Sequence, residues 1–186
     1  MAAEKRILVI FSAIFMVFFA VLCIFYLIKD DSSRWQVALG GIIVSALPLL
    51  LILLKKPFPA ALVFGYFLFV FCSIYLGSII SFYRKYAWWD STLHLYKGIF
   101  AGIAAVFVFK ILSGGKGNSR SLLFLFSFSL SAAASILWEI YEFAGDQLVT
   151  ETMQRGGNKD TMIDLIAGTS GALLAGIYNI LRFRKL

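Results

Sequence analysis

Charge is what this sequence is shortest of. Only 15% of its 186 residues are Asp, Glu, Lys or Arg, and 61% are hydrophobic, whereas soluble domains run near ~25% charged and ~45–50% apolar. Surface-to-volume scaling limits how much apolar surface a soluble core of this size can hide, so a freely soluble globule is excluded and lipid is the solvent implied. Three prolines and 15 glycines are too few for a fibrous or disordered chain. Cysteine is nearly absent: Cys23 and Cys72 lie inside apolar runs without metal-ligand spacing and read as small hydrophobes. No serine or cysteine nucleophile stands beside a base, which disfavours covalent catalysis. The net charge of +7 does not call for a nucleic-acid partner, because Lys and Arg collect on the cytoplasmic side of membrane proteins.

What is abundant is long apolar runs. A spanning helix needs ~20 mainly apolar residues, and six segments qualify: 6–28, 36–54, 58–82, 90–112, 121–145 and 161–182. The first follows Lys5-Arg6 but is longer than a signal h-region and lacks a small-x-small cleavage site, so it reads as a retained helix. Polar or breaking stretches separate the runs: Lys29–Arg34, Lys55-Lys56-Pro57-Phe58-Pro59, Tyr83–Trp89 with charges and headgroup-level aromatics, Ser113–Arg120, and Gln147–Lys159. These connections are too short for a soluble domain, and the expectation is one all-α bundle of six transmembrane helices, a single polytopic domain over 1–186.

With six spans, one side carries Lys5, Arg6, Lys55, Lys56, Lys110, Lys116, Arg120, Arg182, Arg184 and Lys185 against Glu4, ten bases to one acid, or +9. The other side carries seven bases against nine acids, or −2. Both termini are therefore expected in the cytoplasm, in a bacterial cytoplasmic (inner) membrane.

Seven of the ten acids fall between Asp90 and Asp164. Asp90 and His94, four apart, share one face at the outer start of the fourth span. Glu139, Glu142 and Asp146 share a face at the outer end of the fifth, and Asp160 and Asp164 repeat the four-residue spacing at the start of the sixth. At ~1.5 Å of rise per residue, Glu139 lies roughly 10 Å below Asp146, and His94 and Asp164 sit about 6 Å inside their helix starts. Charges at that depth face a bundle interior or aqueous cavity with a partner, so an outward-facing pocket is expected. Carboxylates with one imidazole suit a divalent cation, which can polarise an oxygen or activate water. The candidate ligands are His94, Glu139, Asp164, Asp90 and Asp160, with Glu142 or Asp146 as acid–base. Without metal, the same groups suit proton carriage.

Blander roles are open for several of these residues. Asp90 and Asp160 can cap their helices; Glu142 and Asp146 can pair with Arg84, Lys85 or Arg155; Lys97 can snorkel outward. A buried His94–Asp164 pair can be purely structural. Trp88-Trp89 and Trp138-Tyr141 read as interface anchors and packing. Gly168, Gly171, Ala172, Ala175 and Gly176 form a small-residue stripe that suits close helix packing or a homo-oligomer. Gly114-Gly115-Lys116-Gly117 lacks the context of a phosphate loop, and Arg155–Lys159 reads as a solvated loop.

Trp89-Asp90-x-x-x-His94, Trp138-Glu139-Ile140-Tyr141-Glu142 and Asp160-Thr161-x-x-Asp164, followed by Gly168 and Gly171-Ala172, resemble the YjdF-like bacterial inner-membrane proteins. The likeness covers roughly residues 85–178; the first three helices match only in hydropathy. It implies a multi-helix membrane fold and a site at His94, Glu139, Glu142, Asp160 and Asp164, with Asp146 fitting less closely, and it implies no reaction. Three functions are therefore carried forward: a metal-assisted activity on an outer-leaflet lipid or cell-envelope group; solute capture or cation- or proton-coupled transport; and a structural or regulatory membrane protein.

Overall fold

The structure is a computed structural model that describes residues 2–53, 55, 58–114, 119–148, 153–154 and 157–182. The expectations placed on Lys56, Pro57, Gly115, Lys116, Gly117, Asn118, Arg155, Gly156, Arg184 and Lys185 lie outside these residues. The described residues are helical with no strand. Six helices are long and apolar enough to cross a membrane: α1 (Ala2–Ile28), α2 (Ser32–Leu53), α3 (Ala60–Ile79), α5 (Trp89–Leu112), α6 (Arg120–Leu148) and α7 (Asn158–Leu181), with a single-turn α4 (Phe82–Lys85) between α3 and α5. They gather into two compact units, 1–89 and 90–186.

Helix ends are set by local chemistry that hydropathy does not register. α2 begins at Ser32, four residues before the apolar run, because Asp31 is its N-cap: a carboxylate oxygen accepts the Arg34 N–H at 3.1 Å, satisfying one of the first-turn donors. The same two side chains form an ion pair, and Arg34 Nε donates to the Ile79 carbonyl at 3.0 Å. Those hydrogen bonds with Arg34 hold the Asp31 carboxyl below the usual carboxylate range. Within α2, Pro48 tightens one turn to 3₁₀ winding. Its missing N–H would have faced the Val44 carbonyl, to which the Tyr66 hydroxyl donates at 2.7 Å.

α3 ends at Ile79 rather than 82. Its last nine residues, Phe71–Ile79, wind as a π-helix, and Ile80 N–H bonds five residues back, to Tyr75 O at 2.8 Å. Ser81 then takes a left-handed turn at φ 67°. The Tyr83 ring folds back onto Gly77, where any side chain would collide with it, and its hydroxyl meets Ser73 Oγ at 2.9 Å. The first unit otherwise packs aromatically. Phe19 fills the space that Gly41 leaves open and joins Ala38, Val70 and Ile79, while Leu8, Val63 and Phe67 form a second cluster.

The second unit is built oppositely, with small and polar residues inside. α6 buries Leu123, Ser127, Ser131, Ser135 and Glu139, one every fourth residue; α5 buries His94, Gly98 and Gly102 at the same interval. α7 contributes Asp164, Gly168, Gly171, Ala172, Ala175, Gly176 and Asn179. Large apolar side chains such as Leu137, Ile140, Ile166 and Leu174 are exposed. That inversion suits helices that gain nothing by hiding Leu from lipid and associate through close contact and hydrogen bonds. A Cβ on Gly98 would overlap the Gly168 carbonyl oxygen, and one on Gly171 would overlap Leu95 O, so α5 and α7 touch backbone to backbone. Ser131 Oγ donates to Gly98 O at 2.6 Å and Asn179 Nδ2 to Gly102 O at 2.9 Å. The small-residue stripe of α7 thus packs against α5 and α6 inside its own unit.

Candidate polar site in the second unit

At one end of this seam the small residues give way to ionisable ones. Each helix delivers one fully buried group: His94 from α5 (2% exposed), Glu139 from α6 (5%) and Asp164 from α7 (2%). Continuing the four-residue faces outward adds Asp90 one turn before His94, and Asp160 one turn before Asp164. Both lie within the first turn rather than at the cap; the N-cap position of α7 is Gly157, which makes no side-chain cap bond. There their negative charge also suits the positive end of the helix dipole.

The imidazole is the centre. His94 Nδ1 lies 3.2 Å from Glu139 Oε1, and Nε2 lies 3.6 Å from Asp90 Oδ1. Two sets of potential ligand atoms result, each with all atoms within 4.8 Å of one another: Asp90, His94 and Asp164, and His94, Glu139 and Glu142. Of the seven residues expected to form a site, five are brought together. Asp160 and Asp146 are in neither set. Both Asp146 oxygens accept the Met153 N–H, at 2.9 and 3.1 Å, and one accepts the Gln154 N–H at 2.7 Å. Asp146 ties the chain after α6 back onto that helix.

Two residues have larger parts than their sequence context suggested. Lys97 does not snorkel outward: its ammonium lies 3.3 Å from His94 Nδ1 and 4.4 Å from the centre of the Trp138 ring, within cation–π range. Trp138 in turn donates its indole N–H to Glu142 Oε1 at 2.9 Å. The signal was in the spacing, since Lys97 is three residues after His94 and Trp138 four before Glu142, both same-face intervals. Which helix faces point at each other was not in the spacing.

The charge balance is uneven. Asp90, Glu139, Glu142, Asp160 and Asp164 oppose one half-buried ammonium, Lys97; Lys159, beside Asp160 on α7, is exposed. Two carboxylate oxygens, Glu139 Oε1 and Asp164 Oδ1, are buried without a hydrogen-bond donor; the 3.2 Å approach of His94 Nδ1 to the former is close but not aligned as a hydrogen bond. The Ser91 side chain hydrogen-bonds the Asp164 carboxylate, but a buried carboxylate oxygen left without a donor is costly, so the cluster as built suits a cation or protons. The opposite end of the unit carries Lys110, Arg120 and Arg182, all exposed.

Comparison with known proteins bears on the whole chain. The family model described as "Predicted membrane protein (DUF2238)" matches residues 10–185. A Thermotoga maritima protein described as uncharacterized is 33% identical over 99 residues, which cover 52% of this chain and 50% of that protein; the match thus spans about half of each. No solved structure matches.

Proposed function

The chain belongs to the DUF2238 family of predicted membrane proteins, and within that frame we propose that its second unit holds a divalent cation on Asp90, Asp164 and His94 Nε2. The observation that carries this reading is Asp164, 2% exposed, whose Oδ1 lacks a hydrogen-bond donor and whose carboxylate has an oxygen within 4.8 Å of ligand atoms of Asp90 and His94. Hard oxygens with one ring nitrogen suit Mn²⁺, Fe²⁺ or Zn²⁺.

Position supports the choice of Nε2. It faces Asp90 Oδ1 at 3.6 Å, whereas Nδ1 faces the Lys97 ammonium at 3.3 Å. An ammonium only donates, so Nδ1 is its acceptor and the ring proton sits on Nε2, from which metal binding releases it. Glu142, held by the Trp138 N–H at 2.9 Å, is placed to accept or return a proton.

A bound cation would polarise an oxygen or activate water at headgroup depth. The reading is therefore a metal-assisted reaction on a lipid or cell-envelope group at the outer face of a bacterial cytoplasmic membrane. The charge asymmetry of the sequence and the likeness of residues 85–178 to the YjdF-like proteins support that placement. Lys97 against Nδ1 favours one second reading, a proton- or cation-coupled carrier, in which ammonium, imidazole and carboxylates pass a proton.

The test is metal content by mass spectrometry of protein purified without chelators, beside His94→Ala and Asp164→Asn. Near-stoichiometric metal in the parent, lost in both folded variants, is expected. A metal-free parent that Asp164→Asn makes more stable would refute the centre, because the amide would then only relieve an unpaired charge.

A further inference from the structure

The two ligand sets share one imidazole, and they are not equivalent. The set of His94 Nδ1, Glu139 and Glu142 has Lys97 Nζ 3.3 Å from its nitrogen. Trp138 accounts for how that arrangement holds. One face of the indole supports the Lys97 ammonium at 4.4 Å, and its N–H grips Glu142 at 2.9 Å. A single rigid side chain thus positions a positive and a negative group around the same nitrogen.

We propose that Lys97 is a tethered cation occupying the second lobe of a two-lobed cation site, where its ammonium keeps a second metal ion out. Two divalent ions on either side of one imidazole would repel strongly in a low-dielectric setting, and the chain's own ammonium supplies the compensating charge on that side. The consequence is a mononuclear centre with an acid–base lobe beside it, in which Glu142 stays available for proton transfer. Glu139 Oε1, buried and lacking a donor, shows that the lobe retains acceptor capacity beyond its present contacts. The assignment of the first lobe rests on the cation centre proposed above; that of the second rests on Lys97 and Trp138.

The experiment is ion stoichiometry. Purified full-length protein is equilibrated with Mn²⁺ or Zn²⁺ and desalted, and metal per chain is read by mass spectrometry for the parent, Lys97→Met, Lys97→Gln and Lys97→Arg. One ion per chain is expected for the parent and for Lys97→Arg, and two for Lys97→Met and Lys97→Gln. The second ion should disappear when Glu142→Gln is added to Lys97→Met. Retention of the first ion in each variant reports that the unit is folded. An unchanged count of one in both neutral variants overturns the proposal, as does zero in every protein. A count of zero in the parent and one in both neutral variants removes the resident metal while sustaining the tethered lysine.

Discussion

The tight seam between α5 and α7 makes Gly98 a sharp place to test the packing that assembles the site. In Gly98→Ala the new Cβ would overlap the Gly168 carbonyl oxygen and lie 3.1 Å from Ala172 N. Both contacts are backbone atoms, so no side chain can rotate away. Restoring an ordinary carbon–oxygen separation of ~3.3–3.6 Å requires the helices to part by roughly 1.2–1.5 Å. Overpacking of this kind costs ~1–3 kcal/mol. Strain on the Ser131 to Gly98 and Asn179 to Gly102 hydrogen bonds adds ~0.6 kcal/mol each on the scale measured in membranes. The better helix propensity of alanine returns ~1 kcal/mol, leaving a net destabilisation of about 1–3 kcal/mol. Gly40→Ala is the control: nothing lies within 4 Å of its Cβ position, so it should be neutral or stabilising by ~0.5–1 kcal/mol. Unfolding in mixed micelles, followed by circular dichroism, compares the two. Metal affinity should also fall in Gly98→Ala, because parting α5 from α7 separates Asp90 and His94 from Asp164. Gly98→Ala as stable as Gly40→Ala would refute the close approach and the geometry built on it.

Two further substitutions address residues outside the cation centre. Asp146→Ala leaves the Met153 and Gln154 N–H groups without their acceptor; amide exchange at those two positions should speed up while metal content stays at the parental level, and loss of metal would place Asp146 in the centre after all. Asp31 has a folded-state carboxyl lowered by the Arg34 N–H and side chain. Its charged form therefore stabilises above the ordinary value of ~3.9, and that contribution is lost as pH falls through the lowered folded value. Asp31→Asn, which keeps the cap but not the charge, should flatten the acid limb of the stability–pH curve, and parallel limbs in variant and parent would contradict the charge-assisted bonding of Asp31 to Arg34.

The membrane class, the six spans and the clustering of acids at one end were legible in the sequence because they depend on one-dimensional quantities. An apolar run of spanning length has few fates other than lipid, and same-face spacings of three, four and seven follow from helix geometry alone. His94, Glu139 and Asp164 stood out for the same reason, since an ionisable residue deep in an apolar run needs a partner wherever the helices go. Helix ends were less legible: the Asp31 cap and the π-winding before Ser81 depend on hydrogen bonds, one of them joining Arg34 to the distant Ile79 carbonyl. The stripe on α7 was visible as a stripe, but whether it met another copy or its own neighbours was a question of which faces meet. Only the tertiary structure decided that Gly98 and Gly171 bring α5 and α7 into backbone contact, that Asp146 in α6 accepts the Met153 and Gln154 N–H groups, and that Lys97 points inward onto Trp138. Local spacing places a residue on a face; the angle and distance between helices decide what that face touches, and here those are set by side chains too small to be conspicuous in the sequence.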